Sequence, residues 1–215
     1  MFKKHPLTDY EFPEDYNLWR NSKIQLTDER LEICGHPVME SWEEPYMKTL
    51  AEIATKKGGR ILEIGFGMGI SSKYINDQDI DLHIIIEGNF DVYTNALNFA
   101  MNSSVKTIPM LGFWEELVGC FSDGTFDGIL FDTYPIKKEY LFTERFRFFK
   151  EAYRLLKPNG IFTHYLGEKD PKEEYNELAS NVGFNKVSYK TCSVNPPEDC
   201  KYWNDTEILA PVIMK

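Results

Sequence analysis

Cysteine is scarce in the sequence, with four residues among 215. Cys34, Cys120, Cys192 and Cys200 are scattered, without a CxxC motif or the paired spacing of metal ligands. This pattern disfavours a disulfide framework and predicts no metal site. We expect four free thiols in a reducing cytoplasm.

Long apolar runs and an excess of positive charge are also lacking. No window approaches the roughly 18 apolar residues of a membrane-spanning helix, and the two lysines near the N-terminus precede no apolar stretch of a signal peptide. The formal net charge of -10 disfavours binding to nucleic acid or to an anionic membrane. We therefore expect a cytoplasmic protein without nucleic-acid or membrane partners, whose charge suits a small cationic substrate. The sequence makes no prediction about the oligomeric state.

The overall amino-acid composition is that of a globular protein, with 42% apolar and 14% aromatic residues. The length fits one domain. Residues 1–30 are polar, aromatic and charged, and Pro6 and Pro13 interrupt them. We therefore expect an N-terminal arm that covers the site and contributes no strand to a sheet. Residues 31–215 are predicted to form the domain proper.

Apolar runs alternate with helical patterns along most of the chain. The spacing predicts one helix over residues 37–57 and another over residues 143–156, the second followed by a turn at residues 157–160. The runs predicted to be strands are 60–65, 82–87, 105–110, 126–132, 160–165, 185–193 and 206–214. Seven strands with intervening helices indicate an α/β fold with a doubly wound, mostly parallel sheet.

A glycine-rich turn follows the first of these strands. Gly65, Gly67 and Gly69 stand at alternate positions, where a backbone must turn sharply and a ligand must approach closely. A dinucleotide motif requires glycine at its sixth position, which here is Ile70. Glu87 ends the second strand, where its carboxylate can accept both hydroxyls of a ribose. The alternative interpretation is a tight strand-to-helix connection with a solvated Glu87.

The turn resembles motif I of class I methyltransferases, which bind S-adenosylmethionine there and release S-adenosylhomocysteine. Two further segments agree with the resemblance in order and separation: residues 126–132 are similar to the fourth strand of these enzymes, and residues 155–160 to the turn before their fifth. The resemblance implies the seven-stranded sheet of the class I type. The residues assigned to the cofactor at this turn are Glu63, Gly65, Phe66, Gly67, Met68, Gly69 and Ile70.

The loop after the fourth strand is the candidate substrate site, because a doubly wound sheet binds its ligands outside the carboxyl ends of its strands. Asp132 begins that loop, and we expect it to contact the reacting nitrogen and the cofactor. The alternative is that Asp132 is an ordinary helix cap.

A closer resemblance, to guanidinoacetate N-methyltransferase, covers most of residues 31–165 and resumes near the C-terminus. It rests on residues 35–47, 65–68, 109–116, 126–135 and 196–200. The resemblance implies that Glu43 and Asp132 are catalytic and hold the guanidinium of the substrate. The chemistry agrees, because a planar cation with several N–H donors suits two carboxylates, and Asp132 can accept a proton as the methyl group arrives.

The same resemblance implies roles for other side chains. Trp19 is similar to a lid tryptophan that contacts both cofactor and substrate, and Tyr134 is placed beside the path of the methyl group. The remaining cofactor contacts that the resemblance implies are Met39, Met47, Gly65, Glu87, Phe113 and Trp114. Core packing is the alternative for each methionine and each aromatic residue.

Two features depart from the family pattern. After Thr163 the sequence differs where the family binds the carboxylate of guanidinoacetate, and Lys169 is a candidate substitute contact. Glu44 adds a carboxylate next to Glu43, either for a second cation on the substrate or facing solvent.

These observations together predict methyl transfer from S-adenosylmethionine to a nitrogen of a small guanidino compound. One alternative is a different small amine or guanidine, and another is arginine in proteins. A third is a catalytically silent relative that binds the cofactor as a sensor or assembly partner.

Overall fold

The computed structural model describes residues 12–140, 144–171 and 173–215, the side chains of residues 144 and 145 excepted. Pro6 and Thr143, which belong to predicted elements, lie outside the described residues. The smaller sheet is antiparallel and contains β1 (Ile24–Leu26), β2 (Arg30–Ile33) and β3 (His36–Glu40). The larger sheet contains β4 (Arg60–Ile64), β5 (Leu82–Glu87), β6 (Thr107–Leu111), β7 (Phe126–Phe131), β8 (Leu156–His164), β9 (Lys186–Ser193) and β10 (Glu207–Met214).

One helix precedes the smaller sheet, and the other helices accompany the larger one. The α-helices of the described residues are α1 (Tyr16–Asn21), α2 (Glu44–Ala54), α3 (Ile70–Asn76), α4 (Phe90–Met101), α5 (Trp114–Leu117), α6 (Glu144–Leu155) and α7 (Glu173–Val182).

The larger sheet has the strand order β6-β5-β4-β7-β8-β10-β9. The strands from β6 to β8 in that order pair in parallel, whereas β10 runs antiparallel to both β8 and β9. The predicted doubly wound, mostly parallel sheet of seven strands is therefore confirmed. The strand order reverses between β4 and β7, and ligands of such sheets bind outside the carboxyl ends of the strands at that point.

Helix α2 packs on the sheet beside this reversal. Met47 and Ala54 lie on its buried face, and Pro45 lies in its first turn, where a missing N–H group costs no helical hydrogen bond. A Cβ atom on Gly128 of β7 would lie 1.8 Å from the carbonyl oxygen of Ala54. This close approach of α2 to β7 fixes the position of Glu43, which immediately precedes the helix.

Helix α1 is bound to the domain by the side chain of Asn89. The oxygen of this side chain caps α4 by accepting the N–H groups of Asp91 and Val92. Its nitrogen donates to the carbonyl oxygens of Trp19 at 2.8 Å and Ser22 at 2.9 Å. The end of the predicted arm is therefore a helix held against the start of α4.

Three predictions of local structure need correction. Residues 24–26, expected in an arm without sheet structure, form β1 and pair with β2. Residues 36–40, expected largely within a helix over 37–57, form β3, because their backbone pairs with β2; α2 begins only at Glu44. The turn expected at residues 157–160 lies within β8, as an irregular stretch in which Asn159 has a φ of 65°.

The next features are membrane-spanning helices, groups of metal ligands and the state of the cysteines. No helix within the described ranges is long and apolar enough to cross a membrane. Over the same residues, no group of three or more His, Cys, Asp or Glu side chains is placed to hold a metal ion. The four cysteines are free thiols.

Candidate active site

The candidate site lies where β4 and β7 end side by side. The backbone N–H of Asp132 donates to the carbonyl oxygen of Ile64 at 2.9 Å. Gly65 has a φ of 91°, and a Cβ atom there would lie 1.9 Å from the carbonyl oxygen of Asp132. Because only glycine fits this contact, the backbone itself joins the glycine turn to the predicted catalytic aspartate.

The glycine turn is covered on one side by Met39. Gly67 and Gly69 have φ values of 55° and 75°, which favour glycine. The sulfur of Met39 accepts the N–H of Met68 at 3.3 Å and would lie 2.9 Å from a Cβ atom on Gly67. Phe66 is buried, with its ring 2.7 Å from the Cβ position of Gly69. Met39, Phe66 and Met68 are therefore brought together at the turn, and their contact with the cofactor stays a prediction.

Glu87, at the end of β5, faces the same turn. One of its oxygens accepts the N–H of Phe66 at 2.9 Å, and the other accepts that of Asn89 at 2.8 Å. Burial raises the pKa of Glu87, and the backbone N–H groups oppose that rise. The ring of Phe113 lies next to it, 2.5 Å from the Cβ position of Gly88. A fixed carboxylate and a flat apolar ring therefore lie beside glycine backbone that is half-buried at Gly65 and Gly67, a combination that fits an adenosyl group.

A cleft of about 350 Å³ borders the turn. Its lining residues are Leu26, Phe66, Gly67, Met68, Gly69, Lys73, Asn95 and Phe99. The four of them outside the turn come from β1, α3 and α4 and belong to no motif, so they are not predictable from the sequence.

Glu63 is fully buried beneath the turn and has protein partners for both carboxylate oxygens. One oxygen accepts the hydroxyl of Ser71 at 2.5 Å, and the other accepts that of Ser72. The Nε2 atom of His83 lies 3.0 Å from the second oxygen. The predicted contact of Glu63 with the cofactor is therefore corrected: its side chain supports the start of α3.

Met47, Trp114 and Ile70 pack into the core. Met47 has no exposed surface, and Ile70 packs against the same cluster of buried residues. Trp114 makes edge contacts with the rings of Phe131 at 6.3 Å and Phe148 at 5.3 Å. For these three residues the observed packing favours the core alternative over direct cofactor contact.

Glu43 is buried immediately before α2, with 3% of its surface exposed. Its Oε1 atom accepts the N–H of Glu40 at 2.9 Å and the hydroxyl of Tyr202 at 2.6 Å. Burial raises the pKa of Glu43 to about 8, and the charge of Asp132 adds to the rise. A bound cation would lower this pKa again, because it favours the ionised carboxylate.

Asp132 is partly buried at the start of the loop after β7. Burial raises the pKa of Asp132 to about 7, and the charge of Glu63 adds to the rise. The charge of Asp132 in turn raises the pKa of Glu43, so the two carboxyl groups are close enough to interact electrostatically. Such a pair suits a planar cation and includes a group able to accept a proton near neutral pH.

The loop between β9 and β10 reaches this pocket through Tyr202. Its ring lies 5.7 Å from that of Trp42, whose Nε1 donates to Oε2 of Glu40 at 2.7 Å. Tyr202 is not among the residues predicted from the sequence, although it lies just beyond the segment 196–200 that resembles the family. Tyr202 and Glu43 are 159 residues apart, so no local pattern connects them.

Trp19 and Tyr134 stack beside the loop that begins at Asp132. Their ring centroids lie 5.1 Å apart, with the planes inclined by 12°. Tyr134 also contacts the rings of His36 at 5.5 Å and Phe12 at 6.1 Å. Helix α1 thus packs, through Trp19, on the loop that follows β7. The lid role of Trp19 and the substrate role of Tyr134 stay predictions.

Glu44 and Lys169 are engaged at the protein surface. Glu44 is exposed and accepts the hydroxyl of Tyr74 at 2.7 Å. The ammonium group of Lys169 lies 3.0 Å from a carboxylate oxygen of Asp205. This geometry favours the solvent-facing alternative for Glu44 and gives Lys169 a protein partner.

Known proteins resemble this chain in sequence. The model of a family described as guanidinoacetate N-methyltransferase matches residues 14–215. Protein arginine N-methyltransferase 2 of Yarrowia lipolytica (strain CLIB 122 / E 150) is 26% identical over 192 residues, which cover 80% of this chain and 39% of that protein. The chain therefore spans about two fifths of the length of such relatives.

Solved structures resemble it in fold. Spermidine synthase from Thermotoga maritima has a TM-score of 0.63 at 17% identity, covering 89% of this chain and 72% of that one. The 1,6-didemethyltoxoflavin-N1-methyltransferase of Burkholderia thailandensis, solved with S-adenosylhomocysteine, has a TM-score of 0.58 at 16% identity, covering 80% of this chain and 79% of that one. At these identities the likeness concerns the fold, and it confirms the predicted class I methyltransferase type.

Proposed function

Because the chain belongs to the guanidinoacetate N-methyltransferase family, whose methyl donor is S-adenosylmethionine, we propose that it methylates a nitrogen of a small guanidino compound. The observation that carries this proposal is the pair of Glu43 and Asp132, two carboxyl groups with pKa values of about 8 and about 7 next to the glycine turn. A catalytically silent cofactor-binding protein has no need of two such acids at one pocket. The proposal includes a cytoplasmic location, which the free cysteines support.

The residues around the glycine turn suit S-adenosylmethionine. Gly65 and Gly67 offer backbone without side chains, Glu87 offers a carboxylate to ribose hydroxyls, and Phe113 offers a flat surface to adenine. Met39 would lie beside the methionine chain. When bound, the cofactor supplies an electrophilic methyl group.

The acids of the pocket prepare the nucleophile. A guanidinium is a poor nucleophile, because it is protonated and its nitrogen lone pairs are delocalised. Glu43 accepts hydrogen bonds from the N–H groups of the cation and stabilises positive charge on the nitrogens that do not react. Asp132 accepts one proton from the reacting nitrogen, whose lone pair would form the new N–C bond as the bond between the methyl group and the donor's sulfur breaks, with S-adenosylhomocysteine as the leaving group. Tyr202 orients Glu43 by donating its hydroxyl to Oε1.

A second candidate substrate is the guanidino group of an arginine residue in a protein. The relatives that favour it are the fungal proteins named protein arginine N-methyltransferase 2. The chemistry at Glu43 and Asp132 would be the same, because arginine presents the same planar cation.

The test is a panel of methyl acceptors incubated with the purified protein and labelled S-adenosylmethionine. The panel contains guanidinoacetate, other small guanidines, an arginine-containing peptide, and simple amines. We expect label in at least one small guanidine. Transfer to amines alone would contradict the guanidino proposal, and transfer to the peptide alone would favour the second candidate. Binding of the cofactor without transfer to any acceptor would favour the silent relative.

The pKa values of the two acids predict how activity depends on pH. Both pKa values are raised, so both acids are largely protonated at about pH 6 and must ionise to hold the cation. We expect kcat/KM for the accepted guanidine to rise more than about tenfold between about pH 6 and about pH 8.5. The measurement is initial rates at low substrate across that range.

Glu43→Gln is the matched variant for the pH profile. This variant should lose the part of the rise in kcat/KM that is centred near pH 8 and keep the part centred near pH 7. Its kcat/KM should be lower at every pH. Thermal denaturation of the protein without ligand gives an independent check. Acids whose pKa is raised by folding stabilise the protein below their unfolded pKa values of about 4, and that stability is lost progressively as the pH rises from there through about 7 to 8. A flat activity profile in the unchanged protein would argue against both assignments.

A further inference from the structure

Arg20, in α1, lies against the aromatic ring that is proposed to bind adenine. Its guanidinium carbon is 4.9 Å from the centre of the Phe113 ring. Its Nη2 atom donates to Oε2 of Glu116 at 2.5 Å, and the same oxygen accepts the backbone N–H of Phe113 at 3.0 Å. A cation–π contact and a charge-assisted hydrogen bond therefore hold the guanidinium beside Phe113.

A second set of contacts fixes the backbone next to Arg20. The Nδ2 atom of Asn89 donates to the carbonyl oxygen of Trp19 at 2.8 Å. The backbone N–H of Asn89 donates to Oε1 of Glu87, also at 2.8 Å. Asn89 has no exposed surface. One buried residue thus joins the backbone directly before Arg20 to the carboxylate that is proposed to bind ribose.

Phe113 and Glu87 are themselves close neighbours. A Cβ atom added to Gly88, which follows Glu87 in the chain, would lie 2.5 Å from the Phe113 ring. The ring of Tyr16, from the same helix as Arg20, meets the Phe113 ring edge-on at 4.6 Å. These distances place α1, and Arg20 with it, at the adenosyl end of the proposed cofactor site.

One donor of the Arg20 side chain has no partner within the described residues. The Nε atom is buried, and no hydrogen-bond acceptor of that part of the chain reaches it. The side chain as a whole is 28% exposed, so solvent reaches its other atoms but not Nε. A buried donor without an acceptor is costly, which indicates that a bound ligand supplies the acceptor.

We propose that the Nε–H of Arg20 donates a hydrogen bond to a ring nitrogen of the adenine of S-adenosylmethionine, which makes Arg20 a cofactor-binding residue. This inference rests on the adenosyl site proposed above. The adenine ring has acceptor nitrogens at N1, N3 and N7. A planar guanidinium can lie against Phe113 and direct its Nε–H along its own plane to such a nitrogen, which the ammonium group of a lysine cannot do.

The experiment measures the dissociation constants of S-adenosylhomocysteine and of its 1-deaza, 3-deaza and 7-deaza analogues by calorimetry with the full chain. Each analogue replaces one acceptor nitrogen of adenine by C–H and keeps the rest of the molecule. We expect the unchanged protein to bind one analogue at least about fivefold more weakly than S-adenosylhomocysteine. Arg20→Met keeps an apolar stem without a donor. It should bind S-adenosylhomocysteine more weakly and reduce that difference to about twofold or less.

Two further variants separate the Nε–H donor from the attachment of α1. Arg20→Lys keeps a cation for Glu116 but has no N–H group at the position of Nε, so it should lose the discrimination as Arg20→Met does. Lys23→Met is the matched control, because it removes an exposed cation that follows α1 and lies 2.9 Å from Asp91. The control should keep the discrimination between the analogues.

Equal affinities of the unchanged protein for all four compounds would overturn the inference. So would a discrimination that survives in Arg20→Met. A discrimination that is lost in Arg20→Met but kept in Arg20→Lys, or lost in Lys23→Met as well, would assign the effect to charge or to the attachment of α1 and would also overturn it.

Glu87→Gln tests the adenosyl site independently of Arg20. We expect it to weaken the binding of S-adenosylhomocysteine at least about tenfold, because the ribose hydroxyls lose a charged acceptor. If it does so, a failure of the Arg20 variants overturns this inference alone. If the affinity is unchanged in Glu87→Gln, the adenosyl site is misplaced and the inference is wrong with it.

Discussion

Asp132→Asn is expected to lower kcat by about a thousandfold and to leave the affinity for S-adenosylmethionine within about threefold. Asparagine keeps the shape of the side chain but cannot accept the proton, and its amide N–H groups would meet those of the guanidinium. The backbone contact between residue 132 and Gly65 is unaffected, so the turn keeps its form. Single-turnover methyl transfer and calorimetric titration of the cofactor measure the two quantities.

Asp127→Asn is the matched control, because it removes a carboxylate from the opposite end of the same strand. The Oδ2 atom of Asp127 accepts the N–H of Arg60 at 2.8 Å and lies 2.7 Å from the ammonium group of Lys157. We expect a loss of about 1 kcal/mol in the free energy of unfolding and a kcat within about twofold. Asp132 would not be the proton acceptor if its variant kept kcat within about threefold, or if the Asp127 variant lost as much activity.

The centre of the large sheet is predictable because β4, β5 and β7 are buried on both faces and therefore appear as separate apolar runs. The strand β4 is an example, since four of its five residues are buried. The small sheet gives no such signal. Residues 24–26 of β1 are exposed or half-buried, and residues 36–40 contain apolar positions that also fit the spacing of the helix after them. Pairing with β2 determines both segments, and pairing between strands leaves little trace in a short sequence window.

The residues of the candidate site also differ in whether the sequence predicts them. Glu43 and Asp132 are predictable because each stands in a motif that carries a family resemblance, and Glu87 because it ends the strand that follows the glycine turn. Tyr202 is not, because it acts through a hydrogen bond to Glu43, a residue distant in the chain. Glu63 stands in the predicted motif, but the sequence alone does not show that serine hydroxyls of α3 would occupy its carboxylate.

The close contact between the ends of β4 and β7 predicts a large effect of Gly65→Ala. The added methyl group would lie 1.9 Å from the carbonyl oxygen of Asp132, at a φ of 91°. Strain of the backbone and displacement of the neighbouring loop together should cost about 3 kcal/mol in the free energy of unfolding. The loop that moves begins with Asp132, so kcat should fall together with affinity for S-adenosylmethionine. Urea denaturation and the two assays above measure these changes.

Gly35→Ala separates the steric contact from the backbone strain. Gly35 has a φ of 74°, and an added Cβ atom meets no described atom within 4 Å. Its variant should lose about 1 kcal/mol of stability and keep its activity. The difference between the two variants then measures the contact with Asp132, which joins the cofactor turn to the proton acceptor. Equal losses of stability and activity would mean that this contact relaxes freely and that the two strand ends need not stay in register for catalysis.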